Sequence, residues 1–348
     1  MPSISIDTFF ACTLMVSVVI IATVSVSGTM MTRINGWKNL NEESYLKAIA
    51  DNMLSSAGTP SNWGSDPNVK PEEFGLATNS LTNLGELDLD KVCRLNTEND
   101  FALSYTDILN AATLTDLAMR ISISQMMNID VSLLSNSSQG DSTAYTFRIT
   151  VSQDSGPTAS TLHCYVIGKN FLQDQYGNTS TDGTGYASFQ VPNNSNGTAA
   201  LIVFARANQD PMMTTYTVQS FAHLSSEPLP DHTYLDLSPL NYTLHLTTKY
   251  PNTTIADSYA LSYTYQANLT ETSNTSRTTP EILDSSPIVL VVTGLNNSDF
   301  FAEWTAYPQI PVQTGADFNN SESHAFNYLV TIKDTLYKLT LSFGGVNP

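Results

Sequence analysis

The feature that most constrains this chain is an uncharged, largely apolar segment near its start. Residues 8–32 contain no Asp, Glu, Lys or Arg, whereas the residues that follow are polar. A helix of this length, rising about 1.5 Å per residue, crosses a hydrocarbon core of about 30 Å. Because no basic n-region or Ala-x-Ala cleavage site accompanies the segment, we expect a retained membrane anchor that contacts membrane lipid through residues 8–32.

Asn-x-Ser/Thr triplets indicate on which side of the membrane the rest of the chain lies. Ten N-glycosylation candidates occur, all from residue 136 onward: Asn136, Asn178, Asn193, Asn196, Asn241, Asn252, Asn268, Asn274, Asn296 and Asn319. Triplets confined to one part of a chain are typical of an exported surface. Arg33 and Lys38 favour the opposite orientation, but two basic residues are a small count. We therefore expect a cell-membrane protein whose bulk is extracellular.

Composition and charge narrow the class of partner. The chain has 348 residues, and its hydrophobic content of 41% is enough for buried cores. A net charge of −18 and a pI near 4.4 argue against nucleic acid as a partner, because phosphates demand a basic face. The acidic residues are spread along the chain, which is typical of a solvated exterior.

Three cysteines leave two interpretations open. Cys12 lies inside the apolar segment, whereas Cys93 and Cys164 lie outside it. The latter two form a disulfide in one interpretation and two separately buried thiols in the other.

The clearest soluble helix is predicted over residues 41–56. Asn41 is a suitable cap, two glutamates follow in the first turn, and Gly58 and Pro60 end the pattern. Apolar side chains recur at helical spacing on one face, at Leu46, Ile49, Met53 and Leu54. Together with the apolar segment, this predicts a helical stem with a break near Asn35-Gly36.

Three short sequence motifs follow this helix. They are Gly-Thr-Pro-Ser-Asn-Trp at residues 58–63, Gly-Leu-Ala at 75–77 and Leu-Asp-Leu-Asp-Lys-Val at 87–92. With the apolar N-terminal segment, residues 3–135 resemble archaeal pilin-like proteins that carry class III signal peptides. The resemblance implies a small α/β collar and assembly with copies of itself or other pilin-like subunits. The words are equally explained as core and turn residues, with Trp63 as an apolar anchor.

The pilin resemblance also gives Asp7 two interpretations. Family members carry an acidic residue near position five of the mature chain, where it serves filament assembly. Asp7 takes that position if processing occurs after Pro2, although the chain opens Met-Pro-Ser without the basic residue that precedes the family's cleavage site. In the alternative, Asp7 is a charge at the membrane surface. Whether the helix is cleaved and polymerised stays open.

From about residue 140 the apolar period changes from helical to alternating. Alternation predicts strands with one solvated face over 145–151, 240–246, 259–265 and 337–343, the last belonging to a hairpin that spans 328–343. Continuous apolar runs predict buried strands at 201–205 and 287–292, and a further strand is predicted at 301–307.

Residues 173–192 resemble an immunoglobulin-like module of bacterial invasin-type adhesins. The resemblance rests on a turn from Asp174 to Asn178, a turn from Thr181 to Gly185 and a strand from Tyr186 to Phe189. It implies a β-sandwich and no particular ligand. Asp174 and Asp182 are interpreted as turn residues, because they lack the clustered spacing of a calcium loop.

No catalytic or cofactor motif is present in the sequence. Nucleophile elbows, metal-binding His-Glu-x-x-His words, phosphate loops and Cys-x-x-Cys pairs are all missing, and the five histidines lack ligand spacing. We therefore expect no enzyme activity, no cofactor and no metal.

The expected fold class is α+β, with an N-terminal membrane-spanning or filament-core helix, a small α/β collar and mainly-β immunoglobulin-like sandwiches. The expected domains are 1–57 (anchor and stem), 58–139 (pilin-like collar), 140–230 (sandwich) and 231–348 (second sandwich). The expected function is that of a pilin-like subunit of an archaeal surface filament acting in adhesion.

The alternative is a single-copy membrane-anchored adhesin or carbohydrate-binding protein that does not polymerise. Surface glycans are its expected partners, and Trp304 and Tyr307 are its candidate aromatic contacts.

Overall fold

The computed structural model describes residues 14–17, 42–78, 85–114, 117–224, 227–279, 287–318 and 323–344. The chain divides into two compact units, Met1–Asp51 and Asn52–Pro348. In the first unit, residues 14–17 and 42–51 are helical. The second unit begins with helical residues 52–55 and contains all the elements named below.

Besides helical residues 52–55, the described part of the second unit contains two short helices and twenty strands. The helices are α1 Leu89–Cys93 and α2 Tyr105–Ala111. The strands are β1 Ala118–Gln125, β2 Asn128–Gln139, β3 Ser142–Gln153, β4 Gly156–Pro157, β5 Ser160–Gly168, β6 Phe171–Asn178, β7 Thr184–Pro192, β8 Gly197–Ala207, β9 Thr214–His223, β10 Leu235–Leu240, β11 Thr243–Thr248, β12 Thr253–Leu261, β13 Gln266–Asn268, β14 Thr270–Ser273, β15 Ser276–Thr278, β16 Ile288–Asn296, β17 Asp299–Tyr307, β18 Val312–Gly315, β19 Ser323–Ile332 and β20 Thr335–Gly344.

The predicted α+β class, with its N-terminal membrane-spanning or filament-core helix, is wrong, because the structure is mostly β. The helices α1 and α2 are five and seven residues long, whereas strands fill most of residues 118–344. No helix in the described ranges is long and apolar enough to cross a membrane. Of the predicted span, only residues 14–17 are described; the remainder of 8–32, Asp7 and the predicted break near residue 35 lie outside the described residues.

Two antiparallel sheets form a sandwich from β2 to β9. Sheet I has the order β2-β3-β7, with the short β4 beside the end of β3, and sheet II has the order β6-β5-β8-β9. This is the order A-B-E facing C′-C-F-G that immunoglobulin-like sandwiches have. The predicted alternation in β3 is confirmed, since Tyr145, Phe147, Ile149 and Val151 are all buried in the core between the two sheets.

Sheet II is covered on both faces. Leu162, Cys164 and Leu201 point toward sheet I, whereas the neighbouring residues Tyr165 and Ile202 pack on the opposite side. That opposite side is covered by sheet III, of order β13-β12-β16-β17. A strand buried on both faces needs a continuous apolar run, and this explains the sequence of β8.

The core between sheets II and III crosses the predicted domain boundary at residue 230. Ile167, Ile202 and Phe204 lie on one side of that boundary, and Val289 and Val291 lie on the other. The described residues from 52 onward accordingly form one compact unit.

Two further sheets complete the unit. Sheet IV has the order β10-β11-β15-β14, and sheet V has the order β18-β1-β20-β19. Sheet V joins β1 to strands near the end of the chain, with Ile121 opposite Leu341. The predicted 328–343 hairpin is confirmed as β19 and β20, whose turn residues Lys333 and Asp334 both have positive φ.

Three predicted local structures are wrong. The predicted strand over 259–265 ends at Leu261, and residues 262–265 form the turn from β12 to β13. The predicted strand over 240–246 is interrupted by a hairpin turn, because Asn241 and Tyr242 both adopt positive φ, the conformation of a type I′ turn. The predicted turn from Asp174 to Asn178 is part of strand β6, which pairs along its whole length with β5.

Of the two interpretations of Cys93 and Cys164, the structure has the separately buried thiols rather than the disulfide. Both are free, buried thiols. Cys164 packs in the core between sheets I and II, whereas Cys93 lies at the end of α1 beside the backbone of Gln309. Burial raises the pKa of the Cys164 thiol to about 12, so it stays protonated at neutral pH.

Candidate functional site

The N-glycosylation candidates lie on the surface of the β part of the chain. Nine of the ten are in the described ranges, and Asn319 lies outside them. Seven of the nine are exposed: Asn136, Asn178, Asn196, Asn241, Asn252, Asn268 and Asn274.

The two remaining candidates are half-buried. The Asn193 carboxamide accepts a hydrogen bond from Thr143 Oγ1 (2.9 Å) and donates one to the Gly140 carbonyl (3.1 Å). The Asn296 side-chain oxygen is buried at the end of β16. A glycan at either position would require the local packing to open.

The sequence words of the pilin resemblance form one packed unit around Trp63. Its indole Nε1 donates to the Gly75 carbonyl at 3.3 Å, and the ring is fully buried. Gly58 has a φ of +74°, and a Cβ there would lie 2.5 Å from the Glu73 carbonyl oxygen. The turn therefore requires glycine at that position.

Two buried cations stabilise this unit: Lys91 in helix α1 and Arg94 directly after it. Lys91 Nζ donates to the carbonyls of Ala57 and Ala77, each at 2.8 Å, and lies 5.7 Å from the Trp63 ring centroid. Arg94 donates to the Trp63 carbonyl and to the Val69 carbonyl at 2.7 Å. Burial lowers the pKa of both side chains. These contacts indicate that the sequence motifs of the pilin resemblance have a structural role.

The two aromatic residues of the carbohydrate alternative differ in accessibility. Tyr307 is buried, and its hydroxyl donates to Asp90 Oδ1 at 2.7 Å, which joins sheet III to α1. Burial raises the pKa of Tyr307. Trp304, in β17, is half-buried. Of the two residues, it is therefore the one whose side chain is partly accessible to a ligand.

Trp304 lies where two open clefts meet. The first cleft, of ≈ 520 Å³, is bounded by the β1–β2 turn, the end of β3 and strand β9. The second, of ≈ 540 Å³, is bounded by residues 96–98, residues 231–232 and the loop after β17. Both clefts are lined by Tyr216, Trp304, Ile310 and Pro311, so they adjoin across these residues.

Trp304 is held in a fixed orientation. Its backbone N–H donates to Asp231 Oδ1 at 3.2 Å, and its ring makes an edge contact with Tyr216 at a centroid distance of 6.3 Å. The Tyr216 hydroxyl in turn donates to the Ile310 carbonyl at 2.7 Å. Burial raises the pKa of Tyr216 above its ordinary range, so the hydroxyl remains a donor.

Two acidic groups near the second cleft, Glu303 and Asp231, accept hydrogen bonds from backbone N–H groups. Glu303 is 2% exposed, and its carboxylate oxygens accept from the N–H groups of Tyr234 (2.6 Å) and Leu235 (2.7 Å). Asp231 also accepts from the His232 N–H at 3.0 Å. Burial raises the pKa of both carboxyl groups.

The first cleft carries a balanced pair of charges and several amides. Lys338 Nζ donates to Asp154 Oδ2. Carboxamide side chains line both clefts: Gln125, Asn128 and Gln153 in the first, and Asn96, Gln309 and Gln313 in the second.

The sequence indicates Trp304 as a candidate contact residue, but it does not indicate which residues line the two clefts. The walls come from segments as far apart as residues 96, 128, 217 and 338. Turn and strand-end residues of this kind have no local signature, and they meet only through the pairing of distant strands. Within the described ranges, no group of three or more His, Cys, Asp or Glu is placed to hold a metal ion.

Comparisons with known proteins add little to this geometry. No protein-family model matches the chain, and no curated protein matches it. One structural similarity is to HBP35 of Porphyromonas gingivalis, at 11% identity and a TM-score of 0.20 over 52% of this chain and 63% of that one.

Another similarity is to the human GIVD cytosolic phospholipase A2, at 6% identity and a TM-score of 0.15 over 66% of this chain and 33% of that one. In both comparisons the chain spans less than two thirds of the other protein. Similarities at these TM-scores carry no conclusion about fold or function, and the comparisons give no pilin or archaeal signal. The pilin resemblance therefore rests on the sequence words.

Proposed function

We propose that this chain is an extracellular structural protein of the cell surface, a pilin-like subunit of an archaeal surface filament or pilus that acts in adhesion. The observation that supports the proposal is the placement of the acceptor triplets. Of the nine glycosylation candidates in the described ranges, seven are exposed and two are half-buried. Sugars at the exposed positions extend into solvent without disturbing a core, as a glycosylated exterior requires.

The architecture of the β part suits display at a surface. Sheets I, II and III share two cores, so the sandwich and sheet III pack together as one body. The net charge of −18 and the exposed polar faces of the outer strands favour solubility.

Two parts of the proposal stay predictions from sequence. The contact of residues 8–32 with membrane lipid and the assembly role of Asp7 concern segments of which only residues 14–17 are described. The alternative is a single-copy surface adhesin that does not polymerise, and it differs in whether the chain leaves the membrane.

Shearing native cells tests the filament. The extracellular filament fraction is collected, and the N-terminus of this protein in that fraction is determined by mass spectrometry. We expect the protein there, with an N-terminus at or near Ser3 and sugars on exposed asparagines. Recovery in the membrane pellet alone, with Met1-Pro2 intact, contradicts the filament and favours the single-copy adhesin.

A further inference from the structure

We propose that the two clefts beside Trp304 form one binding site for a neutral oligosaccharide, with the indole ring as its stacking platform. This inference deepens the proposed adhesive function, on which it rests for its biological meaning, by naming the chemical class of the adhesion target.

The platform is preorganised. Tyr216 supports the Trp304 ring from the side of sheet II, and Asp231 holds the backbone of the same residue. A ring held in this way loses little conformational entropy on binding, so more of the contact energy appears as affinity. The apolar face of a pyranose ring matches an indole face, because both are flat and carry C–H or π surface.

The shape suits a chain of sugars better than a single compact ligand. Each cleft falls within the range of about 300–1,000 Å³ that small-molecule sites occupy. The clefts adjoin across Trp304, Ile310 and Pro311, so a ligand stacked on the indole extends into both. An oligosaccharide has this extended, repeating form.

The polar lining favours hydroxyl groups. Ser124 and Asn128 are exposed in the first cleft, and Thr97 and Gln313 are exposed in the second. Carboxamides and hydroxyls both donate and accept hydrogen bonds, as sugar hydroxyls do. A ligand whose groups only accept or only donate hydrogen bonds would pair with only some of these donors and acceptors.

The charges disfavour an anionic ligand. The chain has a net charge of −18, and the lysine of the first cleft, Lys338, is already paired with Asp154. Glu98 adds a carboxylate to the second cleft, where the basic group His232 contacts Asp231 at 3.7 Å. Acidic polysaccharides therefore meet net repulsion, whereas neutral ones do not.

Affinity electrophoresis of the purified full chain tests the site. The gels contain soluble β-glucan, mannan or dextran as neutral probes, alginate or hyaluronate as acidic probes, and poly-L-proline as a peptide probe. We expect retardation by at least one neutral polysaccharide and by neither acidic one. The inference is overturned if no neutral probe retards the chain, or if the acidic or peptide probe is preferred.

Matched variants locate the binding. Trp304→Ala should weaken binding about tenfold or more, as removal of a central aromatic contact does elsewhere. Tyr186→Ala is the control, because Tyr186 is 58% exposed and lines neither cleft. Asn128→Ala, a smaller change within the first cleft, should weaken binding without altering the platform. Equal binding by wild type and Trp304→Ala overturns the inference.

Folding is checked by the thermal unfolding midpoint of each variant. If Trp304→Ala fails to fold, Asn128→Ala and Gln313→Ala decide, and wild-type affinity in both overturns the inference. The binding assay needs no filament. A chain that binds mannan yet stays in the membrane pellet contradicts only the filament, and a filament protein that binds no glycan contradicts only the site.

Discussion

At the residue scale, His223 shows how burial fixes a charge state. The ring is 0% exposed, with Nδ1 2.9 Å from the Tyr145 hydroxyl and Nε2 2.9 Å from the Pro192 carbonyl. The carbonyl can only accept, so Nε2 carries the proton and Nδ1 accepts from the hydroxyl. Burial lowers the pKa of this histidine, because the charged form would lose its hydration.

This lowered pKa predicts a stability loss on the acidic side of neutrality. Well above pH 6.5 the ring is neutral in both the folded and the unfolded chain, and it adds no pH dependence. As the pH falls below that value, the unfolded chain takes up a proton first, so the free energy of unfolding decreases. We expect His223→Gln to lose less stability than wild type between pH 7 and pH 5, as measured by urea unfolding at both values.

Comparing each protein with itself at two pH values removes the effect of hydrogen bonds lost in the variant at neutral pH. Other titrating groups contribute equally to both proteins and cancel. An identical decrease in wild type and variant would show that His223 does not cause the acid sensitivity.

At the scale of elements, the short helix α1 stabilises the fold through the contacts of its side chains. Asp88 caps its N-terminus by accepting from the N–H groups of Asp90 and Lys91. Lys91 and Arg94 then reach into the turn around Trp63 and supply donors to carbonyls that secondary structure leaves unpaired. A five-residue helix and an irregular turn thus stabilise each other.

The variant Lys91→Met tests this dependence. Methionine keeps most of the apolar stem but leaves the carbonyls of Ala57 and Ala77 without their ammonium donor. We expect the free energy of unfolding to fall by about 2 kcal/mol, the scale of an unsatisfied buried polar group. Urea unfolding with a constant m-value measures the change.

The control is the same substitution at Lys70, whose side chain is 67% exposed and pairs with Asp107 at 2.9 Å. Exposed ion pairs contribute less than about 1 kcal/mol. Equal effects of Lys70→Met and Lys91→Met would mean that the carbonyl contacts of Lys91 do not hold the turn.

Sequence periodicity predicted elements where burial is one-sided, and failed where turn chemistry decides. In β20, Tyr337, Leu339 and Leu341 alternate with polar residues, and all three are buried as expected. Across residues 240–246 the same alternation continues through a hairpin turn. Asparagine adopts positive φ more readily than most residues, and Asn241 was the one available signal of that turn.

The site could be predicted only in part, for a related reason. The sequence shows an aromatic residue in a strand at Trp304. It does not show that Asn128 and Gln313 line the clefts beside it, because the sheets bring these residues together from distant parts of the chain. Long-range pairing leaves no local pattern in the residues that it brings together.

At the scale of the whole molecule, sheet II is the shared centre of two cores. Successive side chains of a strand point to opposite faces, so Leu201 and Val203 serve the core with sheet I, whereas Ile202 and Phe204 serve the core with sheet III. The immunoglobulin-like sandwich therefore carries an apolar face that is covered only when residues from β12 to β17 are present.

This sharing predicts how fragments behave. Residues 127–224 expressed alone should self-associate and bind a hydrophobic dye, because the face with Ile202 and Phe204 is uncovered. The fragment 127–311, which retains sheet III, should bind far less dye. Replacing Ile202 and Phe204 by threonine in the short fragment should restore a monomer, since threonine keeps the strand preference but reduces the apolar surface. Size-exclusion chromatography and dye fluorescence measure both effects.

The matched control moves the same change by one residue. Leu201→Thr with Val203→Thr alters the face toward sheet I, so it should unfold the short fragment rather than rescue it. A short fragment that is monomeric without any substitution would show that the sandwich is independent of sheet III. Rescue by both pairs would show that general solubility, and not the uncovered face, drives the association.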